Sequence, residues 1–375
     1  MPDTIRIASF NVENLFARPK VFNFRKKEEG DAILKRIDAF QKTLRKSSYS
    51  AADKNKLVKE YTEGDAANKK PPLKNYIKIL EDRGKLWKKQ GYTVVGVHAS
   101  GRNDWDGTIE FKKAKFSDVG RENTAKVIKK VKADIACIVE ADNRLGLKSF
   151  DANLLHYRYP YEMLLDGNDL RGIDVGIYSK FPLGGVWTHM FDRGSNNKSI
   201  FSRDCPEYEI ILPNDERVYV LCNHLKSKGY GSQAANDARR KKQARAIADI
   251  LSDYDLGVDN VVVAGDLNDV PGSDPLSPLL GISNLYDVLE LEFGNDSSKR
   301  WTYHYNDFEQ IDYLLVSKPL KDRFKTARVE RRGMYNLKNL TEGEPAIETE
   351  EQFDTVTNWT NAASDHGAVW ADFDF

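Results

Sequence analysis

The tightest constraint on this chain is a recurring design: an apolar run of strand length that ends in an acid, an amide or an imidazole. Residues 5–11 (IRIASFN), 134–140 (DIACIVE), 218–224 (VYVLCNH) and 260–266 (NVVVAGD) all follow it. Residues 173–179, 311–316 and 367–373 are further apolar runs, most of them polar at one end. A short continuous apolar run is the signature of a strand covered on both faces, and its tip can deliver a functional group to the rim of the core. Outside one insertion, helical spacing is confined to a short segment near residues 123–132 and to the Ala-, Arg- and Lys-rich residues 233–251. Strands therefore outnumber helices outside one insertion, and a sheet-on-sheet core with flanking helices is expected.

That insertion follows the first strand. Residues 19–90 hold 20 Lys and Arg against 10 Asp and Glu, although the 57 basic and 57 acidic residues of the whole chain cancel. Residues 28–89 read as two or three helices broken at Gly64 and at Pro71-Pro72. The expected organisation is one domain over 1–375 with a basic, mainly helical insertion at 19–117. Lysines that neutralise phosphates supply sequence-independent affinity for nucleic acid, and Tyr61, Tyr76 and Trp87 could add stacking platforms. A solvated helical face laced with i,i+4 pairs, its aromatics forming a local core, accounts for the same residues. The acidic stretch 342–354 reads as an exposed loop.

Other classes are excluded quickly. No run approaches the ~18 apolar residues of a membrane helix, and the first residues lack the basic and apolar regions of a signal peptide. The 3 cysteines, with no CxxC, supply neither a disulfide framework nor a thiolate zinc site. A cytoplasmic protein without a membrane partner is expected, and no obligate protein partner is inferred.

Polar groups that end or interrupt apolar strands are the candidates for chemistry, because there a merely solvated charge is least expected. They are Asn11 and Glu13, Glu140, His224, Asp266 and Asn268, Asp312, and Asp365 with His366. All are oxygen or imidazole donors. Hard oxygens without thiolates suit Mg²⁺ or Mn²⁺, one ion or two, and such a cation assists phosphoester hydrolysis.

In chain order the motifs IASFNVEN (7–14), DIACIVE (134–140), NHLKSK (223–228), GDLND (265–269), IDY (311–313) and SDH (364–366) resemble the endonuclease/exonuclease/phosphatase superfamily. Deoxyribonuclease I, exonuclease III, inositol-polyphosphate 5-phosphatases and neutral sphingomyelinases belong to that group. The resemblance spans residues 1–18 and about 118–375 and omits the basic insertion. It implies a four-layered α/β sandwich, two mixed sheets between helices, with the active site at one end. It also implies that Glu140 is the principal metal ligand, with Glu13, Asn11 and Asp365 near the same or a second ion. His366, oriented by Asp312, would face the scissile phosphate as base or electrostatic stabiliser. Asp266 would orient or deprotonate the attacking water, Asn268 would donate to a phosphate oxygen, and His224 would protonate the leaving oxygen or bind phosphate. His224 matches the deoxyribonuclease I-like and phosphatase branches. Lys226 is a candidate phosphate contact. In DGNDLRGID (166–174), Arg171 is a candidate for phosphate and Asp169 for orienting His224. His98, His156, His189 and His304 match no motif and read as structural or surface residues.

The expected function is divalent-metal-dependent hydrolysis of phosphodiesters in nucleic acid, DNA in the first place, by a deoxyribonuclease I-like endonuclease. Two alternatives remain open at this point: a phosphomonoesterase or phospholipase-like enzyme acting on inositol phosphates or lipid headgroups, and an inactive nucleic-acid-binding module.

Overall fold

The computed structural model describes residues 4–15, 20–22, 27–65, 68, 70–112, 118–169, 172–195, 197–229, 232–304, 307–341 and 351–375. The contacts divide the chain into two units, Met1–Phe16 with Ser117–Phe375, and Ala17–Phe116.

The larger unit is built on two six-stranded mixed sheets. The first runs in the order Phe324–Glu330, Ala368–Asp374, Thr4–Leu15, Ile135–Ala141, Asp174–Ser179, Tyr161–Leu164. The second runs Leu285–Asp287, Asp312–Ser317, Asn260–Asp266, Arg217–His224, Glu207–Ile211, Leu183–Trp187. Alternate residues explain why the runs are apolar throughout. Ile5, Ile7, Cys137, Val139 and Ile177 meet Val220, Cys222, Val262, Ala264 and Leu314 in the core between the sheets. On the outer face of the first sheet Ala8, Phe10, Ala136 and Ile138 are covered by the helices Asp118–Val131 and Arg144–Phe150. On the outer face of the second, Leu221, Val261, Val263 and Leu315 take Ala244, Ile247 and Leu251 of the helix Gln233–Leu251. Helix, sheet, sheet, helix is the four-layered α/β sandwich expected.

The smaller unit corrects one expectation. The helices Lys27–Leu44 and Ala51–Thr62 form, the second opened by a Ser50/Asp53 capping box, but residues 77–111 are mainly extended, with a single 3-10 turn at Arg102–Asp104. They make two antiparallel pairs, Ile77–Gly84 with Trp105–Phe111 and Trp87–Gln90 with Thr93–Val97. Ile77 and Ile79 are buried and Lys78 exposed, a period of two that local charge content concealed. Gly84 supplies the φ of +70° at which this chain turns, and a Cβ there would lie 2.2 Å from the Asp104 carbonyl oxygen. Tyr61 and Trp87 stack at 4.9 Å, and Phe40 joins them at 6.1 Å, so these two candidate platforms belong to the unit's own core. Tyr76 is half-buried. Of the acidic stretch, residues 342–350 lie outside the described residues.

Candidate active site

Register brings the candidates together. Arg217–His224 runs parallel to Asn260–Asp266, which runs antiparallel to Asp312–Ser317, and the pairing sets His224 opposite Asp266 and Asp266 opposite Asp312. Three strand-tip groups separated widely in sequence thus share one row. Gly265 makes the close approach possible, since a Cβ there would lie 1.9 Å from the Asn223 carbonyl oxygen and its φ is +137°.

In the other sheet Asn11 pairs with Val139, after which the ladder slips. Val139 pairs with Val175 and Ala141 with Asp174, leaving Glu140 as the extra residue of a bulge at φ +67°. Glu13, in the matching irregularity of the first strand, has φ +48°, and Asn268 has φ +57°. Bulges and left-handed non-glycine residues gather where a strand must re-aim a side chain.

His366 Nδ1 lies 2.8 Å from Asp312 Oδ2, which also accepts from Thr302 Oγ1 at 2.7 Å. Nε2 of His366 faces Asn11 Nδ2 at 3.5 Å and Asp365 Oδ1 at 3.8 Å. Asp266 Oδ2 accepts from Asn11 Nδ2 at 3.1 Å and Asn268 Nδ2 at 3.0 Å, and Oδ1 accepts from the Asn268 amide at 2.8 Å. His224 Nε2 stands 3.6 Å from Asp266 Oδ2 and 3.7 Å from Glu140 Oε1. Burial, then the Asp312 charge, push Asp266 up to about 7 despite its amide donors. Burial works against the charged form of His366, but Asp312 and Asp365 win and raise it to about 10, leaving an imidazolium at neutral pH.

The donor set fits a hard divalent cation. Glu140, Glu13 and Asp365 offer carboxylate oxygens and Asn11 an amide oxygen that also accepts from the Glu13 amide at 3.0 Å, and Asp312 Oδ1 is buried without a hydrogen-bond partner. Among the described residues, the one trio of acidic and imidazole ligand atoms lying within 4.8 Å of one another is Asp266, Asp312 and His366. Because His366 and Asp312 already bond each other, that trio reads as a hydrogen-bonded relay.

At the rim the candidate residues meet local partners. Asn268 holds Asp266 and the Leu225 carbonyl (3.3 Å) with its side-chain amide. Lys226 Nζ is turned onto the carbonyls of Ser227 and Gly229, at 3.0 and 2.8 Å. Asp169 Oδ2 pairs with Arg203 Nε at 3.0 Å. Arg171 lies outside the described residues. His189 is structural, bonded to Asp192 and Glu207 at 2.9 and 2.8 Å, while His98 and His156 are exposed and His304 lies against Phe308.

Several supporting residues escaped the sequence reading. Ser364 Oγ donates to the Asn11 carbonyl at 2.6 Å and accepts from the His366 amide at 3.0 Å. Arg240, wholly buried, reaches Asp269 Oδ2 at 2.9 Å and the Lys226 carbonyl at 2.8 Å, and bonds Asp237. Gln243 Oε1 accepts from the Lys226 amide at 2.9 Å. Helical spacing was the available signal, for Asn236, Arg240, Gln243 and Ile247 lie on one buried stripe of a single helix. Cavities of about 640 and 710 Å³ occur elsewhere, and none of the catalytic candidates lines them.

The model of the Endonuclease/Exonuclease/phosphatase family matches residues 113–366. Similar solved structures include an endonuclease/exonuclease/phosphatase from Beutenbergia cavernae, at 17% identity and TM-score 0.48, covering 68% of this chain and 66% of that one. Truncated Caenorhabditis elegans TDP2 is similar at 17% identity and TM-score 0.45, over 68% of this chain and 91% of its own. D. rerio TDP2 complexed with single strand DNA product is similar at 13% identity and TM-score 0.48, over 69% and 92%. No curated protein sequence matches the chain.

Proposed function

The chain belongs to the endonuclease/exonuclease/phosphatase family, whose members are metal-dependent phosphoric ester hydrolases, and from that premise we propose that it hydrolyses phosphodiester bonds in nucleic acid, DNA foremost, with Mg²⁺ or Mn²⁺. The observation that carries this reading is the row His224, Asp266, Asp312 on adjacent strands with His366 bonded to Asp312. It puts a base poised near neutrality beside a fixed imidazolium.

In this mechanism Asp266 takes a proton from the water that attacks phosphorus. Asn11 and Asn268 hold its carboxylate in place, and burial keeps its pKa near 7, close to the optimum for a base working at neutral pH. His366 stays charged and stabilises the negative phosphoryl oxygens; a group raised to about 10 is a poor base at pH 7. The bond from phosphorus to the leaving oxygen breaks, and His224 supplies the proton which that oxygen needs. Lys226 reaches phosphate by turning from its loop carbonyls, Asp169, paired with Arg203, is a candidate for orienting His224, and Arg171 is a further candidate for phosphate. A divalent ion held by Glu140, Glu13, Asn11 and Asp365 would supply Lewis-acid polarisation of the phosphoryl oxygen and a lowered water pKa. The basic excess of the insertion favours nucleic acid over a small phosphoester.

Nicking of supercoiled plasmid in Mg²⁺ and Mn²⁺, measured against phosphate release from inositol polyphosphates for wild type and Glu140→Ala, tests this reading. Nicking that needs both the cation and Glu140, with a loss on the order of a thousandfold in the variant, is expected. Phosphate release with intact plasmid would overturn it in favour of a phosphatase.

A further inference from the structure

The unit Ala17–Phe116 falls almost wholly outside the matched 113–366, and its chemistry is not explained by the catalytic row. Among its described residues the least buried aromatic is Tyr92, fully exposed, at the tip of the hairpin formed by Trp87–Gln90 and Thr93–Val97. Gln90 pairs with Thr93, so Gly91 and Tyr92 are the two turn residues, and Gly91 supplies the positive φ (+60°) that so tight a hairpin needs. Turns of this kind favour small polar residues at the second position as well. A tyrosine there gains no packing.

The stalk beneath it is stiff. Trp87 is buried against Tyr61, and Glu81 Oε1 accepts from the amides of Leu86 and Trp87 at 2.7 and 2.9 Å. The His98 amide closes the base on the Leu86 carbonyl at 2.7 Å. Around the tip basic residues prevail: exposed Arg83, Lys85, Lys88 and Lys89 stand against exposed Asp82, with Lys89 paired to Glu81 at 3.2 Å. An exposed aromatic ring at the tip of a basic hairpin offers a face for a base and lysines for the phosphates beside it.

We propose that the 87–97 hairpin is a binding site for single-stranded nucleic acid, with Tyr92 stacking on an unpaired base and Lys88 and Lys89 neutralising the flanking phosphates. A duplex hides its base faces in the stack, which favours a single strand. A lipid surface is disfavoured because only Tyr92 and Val95 of this hairpin are exposed large apolar residues, far less than an interfacial anchor buries. The inference rests on the nucleic-acid reading of the catalytic unit for its role, but not for its detection.

The test is fluorescence anisotropy of a labelled single strand of about 20 nucleotides with the full chain in EDTA, where no hydrolysis occurs. Tyr92→Ala should weaken binding about tenfold and Tyr92→Phe leave it nearly unchanged. Lys88→Gln with Lys89→Gln should lower the salt slope by about 1.4. Circular dichroism checks that these surface variants remain folded. Binding indifferent to Tyr92→Ala, equal Tyr92 dependence on a duplex, or Tyr92-dependent binding to phosphatidylserine vesicles in place of the strand each overturns the proposal. The same preparations are then given Mg²⁺. Tyr92-dependent binding without hydrolysis supports the hairpin site and sinks the nuclease reading, whereas hydrolysis without Tyr92-dependent binding does the reverse.

Discussion

At the scale of single residues, the chain spends conformational strain to aim a few polar groups. Asp312, in a regular strand, is aimed by burial instead, with one oxygen on His366 Nδ1 and Thr302 Oγ1. Asp312→Asn keeps the shape but offers the imidazole a neutral partner, so kcat on bis-p-nitrophenyl phosphate should fall roughly 10²–10⁴-fold with the fold retained by circular dichroism. An activity loss of less than about fivefold would remove His366 from the proposed role. Gly265 is a structural counterpart. Gly265→Ala forces a Cβ to 1.9 Å from the Asn223 carbonyl at a φ of +137°, and thermal unfolding should register a loss of roughly 3 kcal/mol or more.

At the scale of elements, the helix Gln233–Leu251 does more than cover a sheet. Through Arg240 and Gln243 it grips the loop after His224 and, at Asp269, the loop after Asp266. Arg240→Met leaves buried Asp269 with the Val270 amide at 3.0 Å and the more distant Lys228 cation at 3.8 Å, and should cost about 3 kcal/mol in a urea titration. The segment from Thr188 to Glu207 is tied by His189. Burial would lower its pKa, yet Glu207 and Asp192 raise it to about 9 from 6.5. A raised imidazole stabilises the fold fully below pH 6.5 and loses that contribution as pH climbs through about 9. Because the ring is partly exposed, the contribution is about 1–2 kcal/mol after screening. His189→Gln should therefore flatten the fall in urea midpoint between those pH values, and an unchanged pH profile in the variant would refute the clamp.

At the scale of the whole molecule, two units divide the labour we propose: hydrolysis in the sandwich and strand capture in the insertion. A chain in which a short Gly/Ser linker replaces residues 17–116 should keep bis-p-nitrophenyl phosphate turnover within about threefold of wild type. Its plasmid nicking should become weaker and less salt-sensitive, because the released counterions belonged to the missing lysines. Unchanged salt sensitivity would assign the electrostatics to the catalytic unit instead. Among the described residues no helix is long and apolar enough to cross a membrane.

The sequence by itself determined the architecture of the catalytic unit. Strands buried on both faces must be apolar throughout, so the sandwich and its polar tips could be read directly from runs such as 134–140 and 260–266. Short or edge strands, Tyr161–Leu164 and Leu183–Trp187 among them, left no such run, because half their surface faces solvent and tolerates any residue. Lysine content in the insertion masked a period of two behind a helical composition. Only tertiary structure decided that His224, Asp266 and Asp312 share one row, that Glu140 sits in a bulge, and that Trp87 is core while Tyr92 is free. Register, bulges and exposure are set by pairing between segments distant in the chain, and one chain's local spacing carries no record of its partners.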